Sequence, residues 1–162
     1  MVIKYLPTKQ FAAGWKPLCL ILFLLLNISV TPPLLAEQQH YQPDKVVYDV
    51  SSANVAELNN ILDRVNLLQI FYGNDPFESS IIIVLHEGVI PLFANTGNKS
   101  NPNLIRRAQN LTMGDVIQFR LCKASAKQQG FKQTNFKKFI RLIPMADAEI
   151  IKLQHKGYAY LR

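Results

Sequence analysis

The chain has 162 residues, which suits one domain, and a formal net charge of +7. Residues 1–36 contribute +3 through three lysines and no acid, and the remainder has 15 basic and 11 acidic residues, a mild net charge of +4. The basic residues are scattered without an aromatic platform, so the composition argues against a nucleic-acid-binding protein, which normally carries a basic stripe.

The N-terminus is typical of an export signal. Three lysines precede an almost wholly apolar run of 13 residues, Leu18 to Val30. A membrane-spanning helix needs about 20 such residues, so this run is too short. We predict that residues 1–36 are a signal peptide cleaved near Ala36, although Leu34 stands where a smaller residue is preferred. The mature chain is then periplasmic or secreted, with no membrane segment; an uncleaved anchor is the alternative.

The first half of the remaining chain contains a leader, a strand and a long helix. Residues 37–44 are polar and include a proline, so we predict a flexible leader before a domain at 45–162. A strand is predicted at 45–50. A helix follows, with Asn54 as its cap, Glu57 completing a capping box and Gly73 ending it. Spacings of three and four predict its buried face: Val55, Leu58, Ile61, Leu62, Val65, Leu68 and Phe71.

The second half alternates strands and helices. The continuous apolar run at 80–86 predicts a strand buried on both faces. After a short helical or irregular piece come a helix at 102–114, a strand at 116–122 and a helical turn or two closed by Gly130. A strand at 139–144, a helix at 147–156 and a final short strand complete the series. This alternation predicts an α/β fold with a mostly parallel sheet of about five strands, covered on both faces.

Polar groups follow three of the predicted strands. Asp49 and Ser51 mark the end of the first strand, His86 closes the second and Cys122 closes the third. In open parallel sheets, ligands bind beyond the C-terminal ends of the strands. We therefore expect Cys122 to lie at the mouth of a crevice, with His86 at the end of a neighbouring or nearby strand.

Cys122 is the only cysteine of the predicted mature chain, so that chain cannot form an internal disulfide. The residue directly precedes a short predicted helix, whose free N–H groups and dipole favour a thiolate. Lys123 and Lys127 add positive charge if they lean inward, and such surroundings make a thiol nucleophilic. The alternative is an inert packing residue, because free cysteine is among the most buried residue types.

His86 could serve as a base beside this thiol. The sequence shows no third group to orient the ring, and a histidine at a strand end often only bonds the neighbouring backbone. His86, Cys122 and Asp49 could also converge on a metal, but no closely spaced ligand pair supports a metal site, and we predict none.

The order of these features resembles the DsrE/DsrF-like family, particularly its small exported members. The similar segments are "KVVYDVSS" before a long helix, "IIIVLHEGVIPLF", "VIQFRLCKAS" and the ending "IPMADAEIIKLQHKGYAYLR". They span about residues 45–162. The resemblance implies a three-layer α/β/α sandwich, a homo-oligomer that is a trimer or hexamer, and Cys122 as a persulfide acceptor with His86 lining its site.

Two functions remain open at this point. In the first, Cys122 carries sulfur as a persulfide between a donor and an acceptor protein, without metal or cofactor. In the second, the chain is a non-catalytic oligomeric module that binds a small ligand or a protein, and Cys122 only lines the crevice. The first function requires an accessible thiol, whereas the second does not.

Overall fold

The computed structural model describes residues 42–162, so the predicted signal peptide and most of the predicted leader lie outside the described residues. The strands are β1 (Lys45–Val50), β2 (Ser80–Leu85), β3 (Ile117–Cys122), β4 (Ile140–Ile143) and β5 (Ala159–Leu161). The helices are α1 (Val55–Phe71), α2 (Ile90–Phe93), α3 (Pro102–Leu111), α4 (Lys123–Gln128) and α5 (Ala146–Gln154). In this part of the chain, no helix combines the length and the hydropathy that crossing a bilayer requires.

The five strands form one parallel sheet in the order β4-β3-β2-β1-β5. From β1 to β4 the chain moves in one direction across the sheet, and it then returns past three strands to add β5 beside β1. Crossovers between parallel strands are right-handed, so connections that run in opposite directions lie on opposite faces. The helices α1 to α4 therefore cover the first face and α5 covers the second, which confirms the three-layer α/β/α sandwich.

The first face of the sheet carries the larger core. Alternate strand residues such as Tyr48, Ile83 and Phe119 point to it and pack against buried residues of α1, α2 and α3. Burying each large apolar side chain contributes about 1.5–3 kcal/mol, so this face supplies most of the stability. In β2 both alternating sets are buried, from Ile81 to Leu85, which confirms a strand covered on both sides.

α1 begins as predicted but differs in two details. The Asn54 side chain accepts hydrogen bonds from the backbone N–H groups of Ala56 and Glu57. The Asn54 N–H is bonded to the Ser52 hydroxyl at 3.1 Å, and no bond from Glu57 completes a capping box. The prediction that Phe71 belongs to the buried face is wrong. Phe71 is 60% exposed, because Gln69 and Tyr72 take the inward positions at this end of the helix.

The second face carries a smaller core under α5. Val47, Ile82, Val84, Cys122 and Ile143 pack there against Ala146, Ile150 and Leu153 of that helix. The same helix, α5, forms a buried charge pair with the sheet. Arg120 of β3 donates a hydrogen bond to Glu149 of α5, and both side chains are 11% exposed. Gln118 accepts a second hydrogen bond from the Arg120 guanidinium at 3.0 Å.

Candidate functional site

The connections that leave β3 and β4 separate to opposite faces of the sheet. α4 follows β3 and places Ala126 in the first core, whereas α5 follows β4 and lies over the second core. Neighbouring strands whose connections separate in this way form the usual binding position of an open parallel sheet. Cys122 lies at this position, because it ends β3 and is paired in register with Ile143 of β4.

Cys122 is the N-cap residue of α4. Its extended backbone, with φ −67° and ψ 114°, turns β3 directly into the helix, so no loop separates the thiol from the first helical turn. The backbone N–H of Ser125 donates to Sγ at 3.4 Å. An N-cap is normally an oxygen-bearing residue that accepts this same bond, so the sulfur replaces the usual hydroxyl or carboxylate.

The thiol is enclosed on the remaining sides. Cys122 is 3% exposed and belongs to the apolar cluster beneath α5. The segments that follow β3 and β4 are joined by a hydrogen bond from Ala124 N to Pro144 O at 3.2 Å. The sulfur thus lies at the C-terminal end of its strand, as predicted, but beneath the surface and not at an open mouth.

His86 follows β2 immediately and is held by Asp49. His86 Nε2 lies 2.6 Å from Asp49 Oδ1. The His86 side chain is 13% exposed and the Asp49 side chain 17%. Asp49 lies on the second face because it follows Val47 by two positions along β1. A third group therefore does orient the His86 ring, contrary to expectation from the sequence: it is Asp49, on the neighbouring strand.

Tyr160 extends this contact to the edge of the sheet. Its hydroxyl donates to Asp49 Oδ2 at 2.7 Å, so the two carboxylate oxygens serve different partners. The hydrogen bond to Asp49 is the main cause that raises the pKa of Tyr160 above its ordinary value, with smaller contributions from burial and from the Asp49 charge. Tyr160, Asp49 and His86 therefore form a hydrogen-bonded chain across β5, β1 and the end of β2.

His86 and Cys122 are neighbours in register without being hydrogen-bonded. Leu85 pairs with Leu121, so the next residues, His86 and Cys122, continue side by side on strands about 4.8 Å apart. The imidazole nitrogens are instead directed to Asp49 and, at 3.8 Å from Nδ1, to the carboxylate of Glu87. Among the described residues, the structure forms an Asp–His pair beside the thiol and no Cys–His hydrogen bond.

The loop after His86 is tightly packed against its neighbours. Glu87 adopts a left-handed backbone with φ 52°, which costs a non-glycine residue free energy. Gly88 follows, and a Cβ atom there would lie 3.0 Å from the backbone oxygen of Ser51. Gln129, beyond α4, donates to the Glu87 carbonyl oxygen at 2.8 Å. These contacts fix the position of His86 relative to β1 and α4.

Lys123 and Lys127 do not approach the thiol. Both are exposed and line a cavity with Ala126 and Leu142, which belong to the first face, whereas Cys122 packs on the second. Among the described residues, the donor recorded at the sulfur is the Ser125 N–H. Among residues 42–162, no group of three or more histidine, cysteine, aspartate or glutamate side chains is arranged to hold a metal ion.

Asp49 and Tyr160 also belong to the site, and they differ in how far the sequence indicates them. An acid inside the otherwise apolar strand "KVVYDV" is a usable signal, because a carboxylate in such a strand needs a polar partner. Tyr160 could not be assigned in the same way. Its place beside Asp49 depends on the chain returning from β4 past three strands to place β5 beside β1, and that pairing leaves no local sequence pattern.

The fold and the site define an α/β protein with an all-parallel sheet, a buried N-cap thiol and an adjacent Asp–His pair. No protein-family model matches the chain, and no curated protein is significantly similar in sequence. Among solved structures, a protein of unknown function from Methanobacterium thermoautotrophicum is similar, with a TM-score of 0.60 and 18% sequence identity over 74% of this chain and 98% of that one. At that identity the similarity shows the fold alone.

Proposed function

We propose that this chain is an exported DsrE/DsrF-like sulfur carrier in which Cys122 holds a persulfide. The observation that carries the proposal is the hydrogen bond from the Ser125 N–H to the Cys122 sulfur. A backbone donor at the first turn of a helix stabilises the Cys122 thiolate, the form that attacks the donor, because the negative charge then lies on the sulfur that accepts the bond. The position of Cys122 between the diverging connections of β3 and β4 adds support.

The proposed chemistry is two sulfur transfers without net oxidation. The Cys122 thiolate attacks the outer sulfur of a donor persulfide, R–S–SH; a new S–S bond forms, the old one breaks, and R–S⁻ leaves. An acceptor thiolate then attacks the outer sulfur of Cys122–S–SH, takes it as its own persulfide and releases the Cys122 thiolate. Neither step needs a metal or a cofactor.

Access to the sulfur sets a condition on this function. Since Cys122 is 3% exposed, a donor reaches it only when its surroundings open, and we propose that the segments joined by the Ala124–Pro144 hydrogen bond separate. In the proposal, a donor or acceptor protein binds at this end of the sheet and favours the opened state. His86, the neighbour of Cys122 in register, lines the opened site, with its ring held in place by Asp49.

Mass spectrometry after exposure to inorganic polysulfide tests the carrier function. Peptide mapping should show one sulfur atom gained at Cys122 of the native chain and none at that position in Cys122→Ser, and His86→Gln should slow the gain without abolishing it. Ser125→Ala, which keeps the backbone N–H, is the matched control and should load like the parent. An adduct that forms only after denaturation would contradict the proposal.

A second candidate function is favoured by the burial of Cys122. In that case the chain is a non-catalytic module, a trimer or hexamer, that binds a small ligand or a protein beyond the strand ends. Blocking Cys122 would then leave binding unchanged. Light scattering tests the oligomer, and a monomer at micromolar concentration would contradict it.

A further inference from the structure

Positive charge is concentrated in one segment. Residues 116–146 contain seven lysines and arginines and no acidic residue. Of these, Arg120 is neutralised by Glu149 under α5. For the six others, no carboxylate of the described residues lies within 4.0 Å. An excess of unpaired ammonium and guanidinium groups raises the local concentration of anions.

Three of these lysines surround one cavity. Lys123 and Lys127 of α4 and Lys132 of the next loop line a space of about 240 Å³. Its remaining wall is largely apolar and includes Phe131, Phe136 and Leu142, with the two phenyl ring centroids 5.9 Å apart. A row of lysines on a solvated surface has no such wall, so this arrangement combines a positive rim with an aromatic wall.

We propose that this cavity binds a small organic anion, namely an aryl or short alkyl group bearing a sulfonate, phosphate or carboxylate. The three ammonium groups would contact the anionic group, and Phe131, Phe136 and Leu142 would contact the apolar group. The cavity volume of about 240 Å³ is below the ~300–1,000 Å³ of pockets that hold drug-sized ligands, so a single ring or a short chain fits. Mutual repulsion of the three lysines is relieved when the anion binds.

This site is separate from the proposed persulfide site. Ala126 and Leu142 of the cavity pack with the first core, whereas Cys122 packs with the second. Ligand binding at the cavity therefore does not require Cys122. The two proposals fail independently, because Cys122→Ser should leave anion binding intact.

Three probes separate the parts of the recognition: benzenesulfonate, inorganic sulfate and benzyl alcohol. Each is titrated into the isotope-labelled full chain while backbone amide resonances are recorded. Benzenesulfonate should shift the amides of residues 123–133 saturably, and sulfate and benzyl alcohol should bind at least about fivefold more weakly. Raising the salt concentration should lower the affinity for benzenesulfonate, since exposed charges are screened.

Two charge-matched triple variants locate the binding. The first triple variant combines Lys123→Gln, Lys127→Gln and Lys132→Gln. Its affinity for benzenesulfonate should be at least about tenfold lower, because each exposed charge pair contributes a factor of a few to binding. Lys45→Gln, Lys138→Gln and Lys156→Gln remove the same charge outside the cavity and should change binding less than about twofold. Equal losses in the two triples, sulfate binding as tight as benzenesulfonate, or no saturable shift at residues 123–133 would each overturn the proposal.

Discussion

The imidazole Nε2 of His86 lies 2.6 Å from the Oδ1 of Asp49, and this contact joins the C-terminal ends of β1 and β2. It fixes the ring on the second face of the sheet, next in register to Cys122. Since Asp49 also accepts a hydrogen bond from Tyr160, a change at one of the three residues should be detectable at the others.

The ionisation of Tyr160 should respond to Asp49. The hydrogen bond to Asp49 raises the pKa of Tyr160, so Asp49→Asn should lower that pKa towards its ordinary value, since a neutral amide is a weaker acceptor. Spectrophotometric titration of the tyrosines, with Tyr160→Phe as the reference that identifies the Tyr160 signal, measures this. An unchanged titration in Asp49→Asn would show that the contact does not persist in solution.

The same contact makes stability depend on alkaline pH. A tyrosine with a raised pKa in the folded state stabilises the fold below the unfolded pKa of about 10, and this contribution is lost as pH rises through the folded pKa. Unfolding by urea at a series of pH values should therefore show a steeper alkaline decline for the parent than for Tyr160→Phe. Parallel curves would count against the relation.

Removing one partner of the Arg120–Glu149 pair should destabilise the fold strongly, whereas replacing both partners by apolar residues should change stability little. Both charges are 11% exposed, so Glu149→Ala leaves a buried guanidinium without its partner and should cost about 3–5 kcal/mol. The double variant Arg120→Met with Glu149→Leu removes both charges and should lie near the parent in stability. Urea denaturation measures both. A double variant as unstable as Glu149→Ala would mean that the charge pair itself stabilises the fold.

Gly88 should resist substitution because of its close approach to β1. In Gly88→Ala the new Cβ would meet the Ser51 backbone oxygen at 3.0 Å, and overpacking of this kind costs about 1–3 kcal/mol. Gly114→Ala is the matched control: its Cβ meets only the end of the flexible Gln69 side chain at the same distance, so its cost should be smaller. Equal losses in the free energy of unfolding in the two variants would contradict this explanation.

The role of Cys122 as a helix cap predicts an order of stabilities. Cys122→Ser keeps an acceptor for the Ser125 N–H. Cys122→Ala removes that acceptor, and loss of the cap should lower the free energy of unfolding by about 1 kcal/mol in addition to the loss of packing. Thermal unfolding of the three proteins compares them. If Cys122→Ala were at least as stable as both the parent and Cys122→Ser, the sulfur would be only a packing group.

The sequence predicted the order and type of the elements because each carries a local pattern. The run from Ile81 to Leu85 announces a strand buried on both faces, and Gly73 with its left-handed φ of 75° ends α1 as expected. His86 and Cys122 were assigned to strand ends for the same reason. The parallel register then places them side by side without any further information.

What the sequence did not reveal depends on contacts between distant segments. The burial of Cys122 arises from α5, whose residues Ala146 and Ile150 cover the second face. The placement of Asp49 between His86 and Tyr160 arises from residues 37 and 111 positions away. Neither distance leaves a periodic trace in the chain, so burial and orientation appear only in the folded structure.

The long return of the chain from β4 to β5 has a consequence for partial unfolding. α5 is the helix that packs on Val47, Ile82 and Val84, so its detachment uncovers this apolar face while the elements of the first face can remain packed. The same event would also free β5, which carries Tyr160, from its place beside Asp49. Transiently exposed apolar surface of this kind favours aggregation, so conditions that detach α5 should promote association between copies of the chain before global unfolding.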